Sequence, residues 1–351
     1  MEQTMKEIRT KNPLGYQPIG RLLMKFAIPS VISMLVNAVY NIVDQIFIGQ
    51  GVGYLGNAAT TVAFPIVTIP EINAKHLDAA IIHEAAIARI NDEQLIKLRT
   101  LGMKEEEAEN TLGNVFILLV GIGIVLTVIG LVFLDPILTI FGATPKNMGY
   151  AKDYASIILL GTVFNLLGIG LSNMARCDGS PNVAMYSMVA GALLNCVLDP
   201  IYIFVFHWGV QGAAIATITS QIIATIILLY YFTRKGNMRL RLTHTRLNPT
   251  ICKMAFSLGI SSCITQLSST ILQIAMNNSL VYYGNQTSVT GDVALSAMGI
   301  VMKISMIIVS ICIGIGIGAQ PILGFNRGAN QPKRIKRCYR LASNIATAVT
   351  T

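Results

Sequence analysis

Seven apolar runs, each more than twenty residues long, decide what this chain can fold into: 26–49, 113–134, 154–175, 183–206, 208–232, 254–283 and 293–325. A helix needs about 20 apolar residues to cross a bilayer, and every run reaches that length. In lipid, only helices and closed barrels satisfy all backbone polar groups. Barrel strands alternate apolar and polar residues, whereas these runs are continuously apolar. The expected fold class is therefore an all-α polytopic membrane protein. Composition agrees, with 53% hydrophobic and 12% charged residues, against about 25% charged in soluble domains. The net charge of +9 reports orientation in a membrane, not affinity for nucleic acid.

The segments between the runs carry that orientation. Residues 1–25 form a basic polar lead with no cleavable signal peptide. Six Lys and Arg residues lie in 233–253 and six more in 326–340, while the turns 50–53, 207–211 and 284–292 have none. The positive-inside rule then puts the N-terminus, 70–112, 176–182, 233–253 and 326–340 in the cytoplasm. This parity requires the short uncharged stretch 54–69 to cross as well. Residues 70–103 differ in texture: charges interrupt every apolar run, and the remaining apolar residues recur at helical spacing, as in an amphipathic surface helix. His76 and His83 share a face there, and a solvated face explains them better than a metal site. The six cysteines show no disulfide or metal spacing and read as small apolar residues.

Three charged side chains fall well inside the runs: Asp44, Asp199 and Lys303. A carboxylate there costs at least about 2.5 kcal/mol and is a functional-site hypothesis by default. Asn37, Asn41 and Asp44 form one polar stripe on their helix. Asn195 and Asp199, four residues apart, project from one face. Pro200 removes a backbone donor beside the acid and should loosen the helix there. Counting about 1.5 Å per residue from the outer ends puts Asp44, Asp199, Thr217 and Lys303 in one layer roughly 10 Å thick. Two carboxylates sharing a low-dielectric layer need a proton, a metal ion or a cationic cargo to neutralise them. Asn37, Asn41, Asn195 and Thr217 would add neutral oxygens. The plainer reading is structural glue, each Asp bonding a neighbouring helix. Lys303 could snorkel or pair with a loop acid.

Four blocks also carry a resemblance. They are Asn37-Ala-Val-Tyr-Asn-Ile-Val-Asp44 with Phe47-Ile-Gly49, and Arg176-Cys-Asp-Gly-Ser-Pro181 running into Gly191-Ala-Leu-Leu-Asn195-Cys-Val-Leu-Asp199-Pro200. The others are Gly209-Val-Gln-Gly-Ala-Ala-Ile-Ala-Thr217 and Gly316-Ile-Gly-Ala-Gln-Pro321-Ile-Leu-Gly-Phe-Asn326-Arg-Gly-Ala329. In this order they resemble the multidrug and toxic compound extrusion (MATE) family of antiporters, and its Gram-positive multidrug exporters in particular. The resemblance implies two six-helix bundles that exchange an extracellular cation, Na+ or H+, for small cationic amphipathic drugs by alternating access. It implies a multi-pass protein of the cell membrane, with no catalytic residues and no cofactor besides the coupling ion. Asp44, Asn195, Asp199 and Thr217 would line the N-terminal cavity. Where the family sometimes carries a C-terminal acid, this chain has the uncharged Gln266, so Gln266 and Lys303 mark the C-terminal cavity.

The expected organisation is a lead at 1–25, an N-terminal bundle at 26–232, a basic linker at 233–253 and a C-terminal bundle at 254–351. Two departures accompany it: the charged stretch 70–103 replaces part of the second helix, and the C-terminal bundle stops after two helices and part of a third, the last apolar run beginning near Leu341. Self-association could complete such a bundle. Competing readings are a flippase for lipid-linked substrates, a non-transporting membrane interaction protein, and an intramembrane protease built on the two aspartates.

Overall fold

The structure, a computed structural model, describes residues 13–64, 105–236, 239–240, 249–287, 290–329 and 331–350. The stretch 70–103, with its expected amphipathic helix and paired histidines, lies outside the described residues. A four-residue turn of helix, α1 (Pro13–Tyr16), leads into α2 (Ile19–Gly51). A turn through Gly53, at a φ of 85°, then opens α3, residues 54–64. After these come α4 (Glu105–Val132), α5 (Leu134–Ile140), α6 (Met148–Cys177), α7 (Pro181–Pro200) and α8 (Gly209–Tyr230). The described chain ends with α9 (Pro249–Gly284), α10 (Gly291–Gly328) and α11 (Pro332–Thr350). Among the described residues six helical stretches are long and apolar enough to cross a membrane: Ile19–Gly51, Leu112–Val132, Met148–Cys177, Pro181–Val205, Gly209–Lys235 and Gly291–Arg327.

Helix α2 begins seven residues before the apolar run that the sequence marks, because Ile19, Leu22 and Leu23 are buried against α10 and α11. Pro29 sits inside it without ending it. The hydroxyls of Ser30 and Ser33 donate to the Phe26 and Pro29 carbonyls at 2.9 and 2.8 Å, so that both buried hydroxyls are satisfied within their own helix. The run 113–134 divides at Phe133, since Pro136 cannot supply a backbone donor to a continuing helix. After Pro200 the backbone widens into a π-helical turn, Ile201–Val205, as the missing donor at Pro200 leads one to expect.

Helices α2, α4, α6, α7 and α8 pack side by side, and α10 lies along α2 in the most extensive helix pairing among the described residues. The outside is apolar, with Ile124, Val125, Val128 and Ile129 of α4 exposed. The inside holds much of the polar inventory, including Asn114, Ser187, Asn195, Asp199 and Asn326. Such a distribution suits a lipid solvent, where helices associate through close packing of small residues and internal hydrogen bonds. One apolar cluster joins α4, α6 and α8 around Leu119, Leu171 and Phe232. A second joins α3 and α6 to Leu295 of α10, and a third joins α1 and α2 to α10 and α11 around Leu22, Ile322 and Cys338.

Polar clamps reinforce both ends of α10. At its N-terminus Asp292 accepts from the Thr144 hydroxyl at 2.6 Å and the Asn147 amide at 2.9 Å. At its C-terminus Asn326 donates to the Leu14 carbonyl at 3.1 Å. Arg334, in the first turn of α11, donates to the Leu14 and Gln17 carbonyls at 3.0 and 2.8 Å. Residues between the two clamps are thereby held at a set height against α2.

Candidate functional site

Asp199 is fully buried near the end of α7, immediately before the π-helical turn. The Asn195 amide, one turn earlier, donates to Asp199 Oδ1 at 3.2 Å and to the Thr217 hydroxyl of α8 at 3.5 Å. Thr217 can accept because its own proton goes to the Ala213 carbonyl at 3.0 Å. Close approach of α8 to α7 and to the π-helical turn makes this possible: a Cβ on Gly191 of α7 would meet the Ser220 carbonyl oxygen at 3.3 Å, and one on Gly212 would meet the backbone of Tyr202 in that turn at 3.0 Å. The i, i+4 pair and the threonine therefore form one hydrogen-bonded unit.

Asp44 is buried on α2, which packs on α7. Its Oδ2 lies 3.7 Å from the Lys303 ammonium of α10, with the two side chains only 5% and 12% exposed. Lys303 also stands within electrostatic reach of Asp199. Three charged groups from three helices thus share one interior. Two carboxylates and one ammonium leave it with an excess of negative charge when all are ionised.

The register of α10 on α2 brings Lys303, expected in the C-terminal cavity, to Asp44. Asn37 and Asn41, expected as oxygens for the site, are joined to each other along α2. The Asn41 amide donates to the Asn37 backbone carbonyl at 2.7 Å and to Asn37 Oδ1 at 3.2 Å. The side chain of Gln266 lies outside the described residues. One group escapes sequence reasoning: Tyr154 of α6 is buried within electrostatic reach of Asp44, Asp199 and Tyr40. A tyrosine opening an apolar run reads as an interface anchor, so nothing local marks it.

Three oxygens in this interior are buried and accept no hydrogen bond: Asp44 Oδ1, Asn195 Oδ1 and Asp199 Oδ2. Two are carboxylate oxygens and one is an amide oxygen, the donor set that suits a hard cation or a proton. No cluster of three His, Cys, Asp or Glu side chains able to hold a metal ion occurs among the described residues.

The family model described as MatE matches residues 99–201 and 261–350, more than half of the chain. The chain belongs to the MatE family. MatE proteins are membrane transporters rather than enzymes, which removes the protease reading of the two aspartates. Among curated relatives, the multidrug export protein MepA of Staphylococcus haemolyticus is 27% identical over 318 residues, covering 90% of this chain and 66% of the relative. MepA of Staphylococcus aureus strain NCTC 8325 is 25% identical over 316 residues with the same coverage. This MatE chain thus spans 66% of the length of the curated relatives it matches. Among solved structures, the MATE multidrug transporter DinF-BH in complex with rhodamine 6G superposes with a TM-score of 0.79 at 32% identity, covering 94% of this chain and 70% of that one.

Proposed function

We propose that this MatE chain is a secondary active multidrug exporter that exchanges Na+ or H+ for cationic amphipathic drugs by alternating access. It would lie in the cell membrane with its N-terminus in the cytoplasm, the side favoured by the basic residues of α11 and by Arg234 and Lys235 after α8. The observation that carries the reading is Asp199, fully buried, with one oxygen bonded to Asn195 and the other unpartnered. A buried ionised carboxylate is costly unless paired. A proton, a sodium ion and a cationic drug each neutralise it, and two of them cannot do so at once. Competition for one carboxylate is the simplest physical basis of exchange. Asn195 holds the carboxylate and is itself bonded to Thr217, and the two residues contribute neutral oxygens. The excess of acid over base in this interior favours cationic cargo over anionic lipid-linked substrates.

Efflux of rhodamine 6G from cells expressing the chain tests the reading. Asp199→Asn keeps the side-chain shape and removes the charge. Efflux is expected to stop while the protein remains in the membrane. Unchanged efflux in that variant would refute the reading.

A further inference from the structure

Export of cations gives no reason for a lysine in the site, so its position calls for a physical account. Helices α2 and α10 are antiparallel and in close backbone contact: a Cβ on Gly318 would strike Ala27, and one on Gly314 would lie 2.6 Å from the Val31 Cα. The same register, continued toward the start of α10, sets Lys303 opposite Asp44 at 3.7 Å. Asp292 and Asn326 hold the two ends of α10, so its backbone is fixed at the height of Asp44. What can move is the four-carbon stem of Lys303, which carries a compact point charge. Asp199 also lies within electrostatic reach of that ammonium.

We infer that Lys303 is a tethered counter-ion, and that Asp44 serves to hold it, so that Asp199 is left free to take the cationic occupant. The inference rests on the export reading above and deepens it. With Asp44 ionised, the ammonium is retained on α2 and the negative charge of Asp199 is available to cargo. When Asp44 loses its charge, the ammonium competes for Asp199 and repels any cation arriving there. Asp44 then acts on cargo through Lys303 rather than by touching it.

Binding of rhodamine 6G to the full chain in lipid nanodiscs, read by fluorescence polarisation, tests this. Asp44→Asn is expected to weaken binding by about 5- to 150-fold, the usual range of coupling between sites. Adding Lys303→Met to that variant is expected to restore binding to within about threefold of the unaltered chain, because the repelling charge has gone. A double variant that binds as weakly as Asp44→Asn would overturn the inference and make Asp44 itself a ligand of the cargo. So would an Asp44→Asn variant with undiminished affinity. An uncharged dye of similar size is the control, and its affinity is expected to stay constant across the series. Parallel loss of both dyes would show a collapsed cavity and overturn the proposal. If Asp199→Asn leaves rhodamine 6G binding intact, the export reading itself fails, an outcome distinct from failure of the lysine's role.

Discussion

The seam between α2 and α10 offers a sharp test, because three glycines within five residues of α10 have opposite surroundings. A methyl group added at Gly314 would lie 2.6 Å from the Val31 Cα and 2.8 Å from its nitrogen, and one at Gly318 would strike the Ala27 backbone. At Gly316, between them, nothing lies within 4 Å. Backbone cannot rotate out of the way as a side chain can. Opening the Gly314 contact from 2.6 Å to an ordinary 3.4 Å requires the helices to part by about 0.8 Å. Overpacking of this kind costs about 1–3 kcal/mol per site. Replacing glycine by alanine in a helix returns about 0.8–1.0 kcal/mol. The double variant Gly314→Ala/Gly318→Ala therefore bears about 2–6 kcal/mol of strain against roughly 2 kcal/mol gained. It is expected to lower the unfolding temperature, while Gly316→Ala leaves it equal or slightly higher. A fluorogenic thiol dye can follow unfolding, since Cys177 and Cys338 are buried in the folded chain. If the double variant and Gly316→Ala shift the transition alike, the seam is not the tight backbone contact described, and the register argument for Lys303 loses its footing.

Two further expectations concern the ends of α10. Asp292→Asn removes the charge that accepts from Thr144 and Asn147; hydrogen bonds to charged groups contribute about 1.5–3 kcal/mol. Amide hydrogen exchange over 140–150 and 290–296 should accelerate in that variant, and unchanged protection would contradict the clamp. Near the other end, burial pushes the Cys338 thiol up to about 11, opposed by the nearby positive charge of Arg334. The reactive thiolate forms only as pH rises toward that value, so at neutral pH Cys338 should be alkylated far more slowly in folded than in denatured protein. Mass spectrometry after brief maleimide treatment measures both states, and rapid modification of Cys338 at neutral pH in folded protein would count against its burial.

Much of the site was legible because the bilayer supplies a reference frame. A charged residue in an apolar run is conspicuous, and helix rise converts its position into depth. That argument brought Asp44, Asp199, Thr217 and Lys303 to a common layer, and helix periodicity put Asn195 beside Asp199. Depth says nothing about which way each side chain faces around its helix. Asn37 and Asn41 lie on the same stripe as Asp44, yet the Asn41 amide bonds to the Asn37 oxygens one turn earlier along the same helix. Tyr154 carries no charge and left no trace.

Sequence alone determined the solvent and the class of fold, since runs of apolar residues this long have few ways to satisfy their backbones in lipid. It also determined the local geometry of Asn195, Asp199 and Pro200, which are neighbours along one helix. Only the tertiary structure decided that Lys303 meets Asp44 and that Asp292 and Asn326 fix α10 against the rest. Those contacts join residues far apart in the chain. Their register is set by where small residues let two backbones touch, which appears only when the helices are packed together.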